Sequence, residues 1–374
     1  MRFEEIPGLL ALKKTLVLSH QRNHLAHAQL FSGQEGGAAL PLAIAYATYL
    51  LCENKEAADA CGSCPTCQKM AKHIHPDVHY FFPSAKPEKE DGKQQSGVNE
   101  VWRELIIEQP YAALGDLISA LDTESKQNQI SKAEAKKIVQ TVSMKSFEGG
   151  LKILIIWYPE KMNGAAANAI LKVLEEPPEN TLYLMVTYHY EDLLTTIISR
   201  LQLVTIPSFS EDELTGYLVK NQGATAEDAI KAYRFSNGSL PNAVADLKEG
   251  NEDELHWFID WMRNCIGAKY DFLSRMSEQF KQISRAKQQI KMRWALEMIR
   301  NAILVKGAED LISSQGAERV FILKFSNAIN LHGLELIYKD LSETLYYLER
   351  HAHPQMAQLA LSIRLSHIIR THRG

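Results

Sequence analysis

At 374 residues the chain is long enough for two or three domains, each with its own core. A formal net charge of −4 excludes a global electrostatic pull toward nucleic acid. No apolar run reaches transmembrane length and the opening Met1-Arg2-Phe3-Glu4-Glu5 lacks a signal-peptide pattern, so a cytoplasmic chain with no membrane partner is expected.

Residues 8–30 predict a helix followed by a strand at Ala28–Phe31. That strand runs into Phe31-Ser32-Gly33-Gln34-Glu35-Gly36-Gly37-Ala38-Ala39-Leu40, which has the outline of a phosphate-binding loop. A working loop reads G-x-x-x-x-G-K-[ST]: glycines and amides cradle phosphates, the Lys reaches the outer ones and the hydroxyl holds magnesium. Here Gly33 survives and Gly36 keeps the loop small, but Ala38, Ala39 and Leu40 stand where Gly, Lys and Ser/Thr belong. Taken alone, a small-residue loop before a helix is the simpler reading. Residual nucleotide contact through the Gly33 and Gly36 amides stays open.

A helix from about Leu40 to Leu51 leads into the cysteines. Cys61-Gly62-Ser63-Cys64-Pro65-Thr66-Cys67 is C-x2-C-x2-C, with Cys52 a short way upstream. Four thiolates within reach of one tetrahedral centre read as a structural zinc site, Cys52, Cys61, Cys64 and Cys67, with no position left for catalytic water. An iron–sulfur cluster remains an alternative, since tight C-x2-C-x2-C runs also serve there. Cys265, in an apolar helical stretch, reads as an inert core thiol.

The polar segment 83–98 is expected to be a surface excursion, and helical patterns resume to about Phe147. The helix over Ile130–Thr141 carries Lys132, Lys136 and Lys137, most simply a solvated face. Leu151-Lys152-Ile153-Leu154-Ile155-Ile156 predicts a buried parallel strand. At its tip, where a phosphate-loop ATPase carries a magnesium-binding Asp and a neighbouring Glu, register places Trp157 and Tyr158. A helix over Gly164–Glu176 is stopped by Pro177-Pro178, and strands follow at Thr181–Val186 and Leu201–Ile206. The alternation implies a doubly wound α/β domain through residue 207. Beyond it helical periodicity dominates. Ser210-Glu211-Asp212-Glu213 has capping-box spacing and predicts a helix start, with a small helical module over 208–250 and an all-α domain over 251–374.

Ala165-Ala166-Ala167-Asn168-Ala169-Ile170-Leu171-Lys172-Val173-Leu174-Glu175-Glu176-Pro177-Pro178 resembles the A-A-N-A-L-L-K-x-L-E-E-P-P signature of bacterial DNA polymerase III clamp loaders. Ser199-Arg200-Leu201 resembles their S-R-C motif, with Leu in third place. His27-Ala28-Gln29-Leu30-Phe31 resembles their H-A-Y-L-F strand, and His75-Pro76-Asp77 matches a tripeptide after the cysteine knuckle. The resemblance covers roughly 1–207 by motif and the rest by helical character only. It implies an AAA+ type domain with a zinc-knuckle insert at 52–67, a helical lid at 208–250 and a C-terminal collar at 251–374. Within the family, a zinc module beside a degenerate loop resembles the delta-prime type.

That resemblance implies a role for each residue. Arg200 is expected to be an arginine finger acting in trans on a neighbouring ATP site, stabilising charge on the transferring phosphoryl group, with Ser199 orienting its loop. On Ser199-Arg200 alone, an Arg paired with a local carboxylate at a strand start would be the simpler reading. Thr187 takes the sensor position at a strand end, and Gly238-Ser239-Leu240-Pro241 resembles the lid motif G-S-x-R with Pro241 in the place of its Arg. No productive ATP site and no intrinsic ATPase are expected. Implied partners are gamma/tau-like ATPase subunits, delta, and, through the assembly, the sliding clamp and primed DNA; the chain would be a component of the DNA polymerase III holoenzyme. The competing reading is a zinc-containing nucleic-acid-binding module acting without a loader. In 350–374, Arg350, Arg364, Arg370 and Arg373 interleave with Leu359, Leu361, Ile363 and Leu365 and meet no acid. This is either a collar helix with a solvated basic face or a contact with DNA or an acidic partner.

Overall fold

The computed structural model describes residues 1–85, 93–123, 128–236, 238–249, 252–283, 285–308, 312, 316–349 and 352–373. They divide into two compact units: Met1–Tyr217 with Gly238–Pro241, and Leu218–Asn237 with Asn242–Gly374.

The first unit is built on five parallel strands, β1 (Ala28–Ser32), β2 (Val78–Phe81), β3 (Lys152–Trp157), β4 (Thr181–Thr187) and β5 (Gln202–Thr205), in the order β2-β3-β4-β1-β5. The central strands read as unbroken apolar runs because both faces are covered. On one face Leu30, Leu154, Ile156, Tyr183 and Met185 pack with Ile138, Val142, Ala167, Ile170 and Leu174 of the helices Lys132–Ser143 and Gly164–Glu175. The other face lies under the helix Ala39–Leu51, whose Tyr46 meets Phe31 with ring centroids 6.3 Å apart. The buried Lys152 keeps its ammonium by donating to the carbonyls of Thr141, at 2.7 Å, and Met144.

One strand carries no signal in the sequence, and one expectation needs correction. β2 was not foreseen, because His79 interrupts its four residues and it lies on a sheet edge. The excursion expected over 83–98 is helical from Lys93, in Lys93–Glu108, where Trp102, Leu105 and Ile106 provide a buried face at helical spacing. Residues 86–92 of that excursion lie outside the described residues.

The second unit is helical among its described residues. The helices Glu252–Ile266, Tyr270–Gln282, Arg285–Leu304, Gly316–Ala328, Leu331–Glu349 and Pro354–Thr371 enclose Phe258, Trp261, Leu273, Trp294, Phe325 and Leu361. Trp261 satisfies its buried indole by donating to Ser362 Oγ at 2.9 Å. Lys291 pairs with Glu254 and sits 4.9 Å from the Trp257 ring centroid. Cys265 is buried against the Ser362 carbonyl, and burial pushes its thiol up to about 12, as suits a core thiol. In the C-terminal basic segment Leu361 and Leu365 are buried and Arg364 donates to Asp340 at 3.0 Å, while Arg350 lies outside the described residues. No helix among the described residues is long and apolar enough to cross a membrane.

The capping box at Ser210 forms as expected: Glu213 donates its amide to Ser210 Oγ at 3.3 Å and its carboxylate accepts from the Ser210 amide at 3.0 Å. The same carboxylate accepts from the Leu9 amide at 2.7 Å, tying the entrance of the first long helix to this one. Gly8 is required there: its φ is +53° and an added Cβ would lie 1.9 Å from Glu213 Oε1. Burial disfavours the Glu213 charge, but the Ser210 and Leu9 amides outweigh it and hold the carboxyl below its ordinary value. The stabilisation is therefore present above the ordinary carboxylate value of 4.5 and is lost as pH falls through the lower, folded value. Glu213→Ala is expected to lower unfolding stability by about 1–2 kcal/mol at neutral pH. In denaturant titrations repeated across pH, the gap to wild type should narrow on the acid side.

Candidate functional site

Three side-chain groups in the first unit carry the functional reading. In the first, the structure brings Cys52, Cys61, Cys64 and Cys67 together, with all four sulfurs within 4.8 Å of one another. Cys52 and Cys61 Sγ are 3.5 Å apart, while Cys52–Cys64 and Cys61–Cys67 are each 4.0 Å. The spacing C-x2-C produces this because each thiol is approached by a following backbone amide: Cys64 N–H reaches Cys61 Sγ and Cys67 N–H reaches Cys64 Sγ, both at 3.4 Å. Cys64 thus caps the helix Pro65–Ala71, with Pro65 set in its first turn. The Ser63 and Cys64 amides hold the Cys61 thiol down at about 6, whereas burial raises Cys52 and Cys67. A divalent ion with bonds of about 2.3 Å to sulfur places tetrahedral ligands about 3.8 Å apart, so the residues fit a single closed metal site. Asp59 fastens the knuckle to the chain start by accepting from the Phe3 and Glu4 amides at 3.0 and 2.9 Å.

The second group is the loop after β1. Gly33 donates its amide to the Thr187 carbonyl at 3.2 Å, and an added Cβ would press on Ile206 and Ala39. Gly36 has φ +73°, and a Cβ there would lie 2.1 Å from Ser239 Oγ. Leu240 donates its amide to the Gly36 carbonyl at 3.0 Å, and Ser208 donates to Gln34 Oε1 at 2.8 Å. The turn bearing Ser239 thus packs directly against Gly36.

Behind the loop, the strand-tip positions are aromatic and buried. Trp157 donates its indole to Tyr188 Oη at 3.2 Å. Tyr158 has φ +55°, a conformation that bulky residues rarely adopt. Its hydroxyl donates to Glu35 Oε1 at 2.6 Å and accepts from the Leu114 amide at 3.0 Å. Burial, then the Glu35 charge, push this phenol well above its ordinary range, so it stays a neutral donor. Glu35 thereby sets a carboxylate within the glycine-bearing loop that precedes the helix Ala39–Leu51. Thr187 donates to Glu160 Oε2 at 2.9 Å, and the Tyr188 amide donates to Glu160 Oε1 at 3.2 Å. Burial raises the Glu160 carboxyl against these bonds.

The third group is Arg200, which ends the short turn after Thr195–Ile198. It donates through Nε to Glu175 Oε1 at 2.9 Å, through Nη2 to the same oxygen, and through Nη1 to the Thr196 carbonyl at 2.6 Å and Ser199 Oγ at 3.1 Å. The local-carboxylate pairing weighed in the sequence is therefore present, with Glu175 as the carboxylate. Glu35, Glu160, Tyr188 and Glu175 escaped the sequence reading as functional residues. Only Glu175 left a signal, as part of the Leu174-Glu175-Glu176-Pro177-Pro178 stretch. His75-Pro76-Asp77 has a structural role: Asp77 accepts from the Phe147 and Glu148 amides at 2.5 and 2.9 Å, holding the turn before β3.

The family model described as DNA polymerase III, delta subunit matches residues 10–210. The chain is 28% identical over 236 residues to DNA polymerase III subunit delta' of Escherichia coli (strain K12), covering 63% of this chain and 58% of that one. To the subunit of the same name from Pseudomonas aeruginosa it is 34% identical over 175 residues, covering 47% of this chain and 41% of the relative. The matched stretch thus spans about half the length of these curated relatives. A DNA polymerase III gamma subunit-related protein from Thermotoga maritima superposes with a TM-score of 0.39 at 15% identity, covering 95% of this chain and 99% of that one.

Replacing Tyr158 by Phe is expected to cost about 1–3 kcal/mol of unfolding stability, because the buried Leu114 amide loses its acceptor. Equilibrium denaturation of the two proteins measures it; equal midpoints would mean that the hydroxyl bridge contributes nothing.

Proposed function

Because the chain belongs to the DNA polymerase III delta-subunit family, we propose that it is a clamp-loader subunit of the delta-prime kind which does not itself hydrolyse ATP. It assembles with gamma- or tau-like ATPase subunits and with delta in the cytoplasm, and helps place the sliding clamp on primed DNA. Residues 1–207 are read as a degenerate AAA+ module, 208–250 as its helical lid and 251–374 as the collar. The observation that carries the noncatalytic reading is the Tyr158–Glu35 bond. Ala39 cannot reach a phosphate, and neither Trp157 nor Tyr158 can hold magnesium. The loop also presents a carboxylate where a nucleotide would bring negative charge. Gly33 and Gly36 keep the loop's shape rather than a productive site, and Thr187 spends its hydroxyl on Glu160.

Arg200 is proposed to act in trans, as a planar cation directed at the phosphoryl group held by the neighbouring subunit, with Ser199 supporting its Nη1 side. The knuckle is proposed to hold one structural zinc through Cys52, Cys61, Cys64 and Cys67. Zinc supplies a fixed tetrahedral crosslink, and all four positions are taken by sulfur. A cubane cluster binds each thiolate to a different iron and spreads the sulfurs farther apart than the 3.5–4.0 Å separations here, which favours the single ion.

Atomic emission should find about one zinc per chain, and Cys64→Ala should lose the metal and melt at a lower temperature; iron with visible charge-transfer absorption would contradict the assignment. In the reconstituted loader, Arg200→Ala should depress DNA- and clamp-stimulated hydrolysis, by about 10³-fold or more at the site it serves, with the complex intact. Unchanged turnover in an intact complex would leave the chain a scaffold only.

A further inference from the structure

A guanidinium has five N–H donors. In Arg200 four of them are already engaged within the chain, and the two edges are used differently. Both Nη1 donors point inward, to the Thr196 carbonyl and to Ser199 Oγ, and Ser199 is itself fixed by donating to the Thr196 carbonyl at 3.2 Å. This edge is anchored to the backbone of its own turn. The Nε–Nη2 edge is the fork that takes two oxygens of a carboxylate or phosphate in parallel. Here both donors of that fork converge on a single oxygen, Glu175 Oε1.

Glu175 closes the helix Gly164–Glu175, and its side chain is 50% exposed against 30% for Arg200. An exposed pair of this kind is weak and screened by salt. If it persisted in the working assembly, the carboxylate would neutralise the charge that a finger brings to the phosphoryl group. A phosphate offers the fork two oxygens and more negative charge than Glu175.

We propose that Glu175 is a positioning residue which occupies the phosphate-binding fork of Arg200 until a neighbour's nucleotide displaces it. It holds the guanidinium fixed and charge-neutralised in the unassembled chain, and gives way when phosphate arrives. The proposal rests on the arginine-finger reading above.

The test uses the full chain in the reconstituted loader, with Glu175→Gln, Arg200→Ala and the double variant, and ATP as the varied ligand. Glu175→Gln keeps the shape and a neutral acceptor while removing the charge. The expected result is a KM for ATP lowered about two- to fivefold, the range of a weak exposed ion pair, with the gain in KM rather than kcat. The gain should shrink as salt is raised and vanish in the Arg200→Ala background. A rise in kcat for Glu175→Gln at unchanged KM would show that the carboxylate stays on Arg200 during turnover, and unchanged kinetics would show that it does not compete with the nucleotide; either overturns the proposal. Failure of the finger reading is seen separately, as wild-type hydrolysis by Arg200→Ala alone.

Discussion

The hydroxyl of Tyr158 is the point through which the first unit organises the loop after β1. It joins three segments distant in sequence: the loop after β1 through Glu35, the end of β3 through its own backbone, and the start of the helix Leu114–Ala120 through the Leu114 amide. Its left-handed backbone, costly for an aromatic residue, is held by these bonds and by the packing of Trp157 and Tyr188 around the ring. The chain thus holds the loop after β1 with its own side chains. On the proposed function, an acid in the loop and an aromatic layer at the strand tip leave the fold without need of a ligand there.

The same economy appears at the edges of the unit. Short segments with little core of their own are held by single carboxylates: Asp59 gathers the first residues onto the knuckle, Asp77 fixes the turn before β3, and Glu213 binds two helix starts at once. Each carboxylate satisfies backbone amides that would otherwise have no partner, which is why these acids lie at helix ends and turns. The four cysteines do the equivalent work for the knuckle, where residues 52–67 contain too few apolar side chains to make a core.

Legibility in the sequence followed the range of the interaction. β3 and β4 could be read because a strand buried on both faces needs an unbroken apolar run. The capping box at Ser210 and Glu213 could be read because its partners are three residues apart. The cysteine cluster was legible because its spacing brings the thiols together. β2 was not, since four residues with a histidine among them carry no periodic signal. Nor could Glu35 be assigned to Tyr158, 123 residues away, or Arg200 to Glu175 in particular, 25 residues away. Those pairings come from the parallel order of the sheet and the crossovers between its strands, which local patterns do not encode.

On the proposed function, this chain assists hydrolysis at a neighbour's site while binding no productive nucleotide itself. Trapping ADP with aluminium fluoride, a mimic of the transferring phosphoryl group, tests it most directly when done with a photoreactive nucleotide in the reconstituted loader. The account predicts label on the ATPase subunits only, with trapping at the adjoining site lost when Arg200 is replaced by Ala. Label on this chain, or trapping indifferent to Arg200, would contradict it.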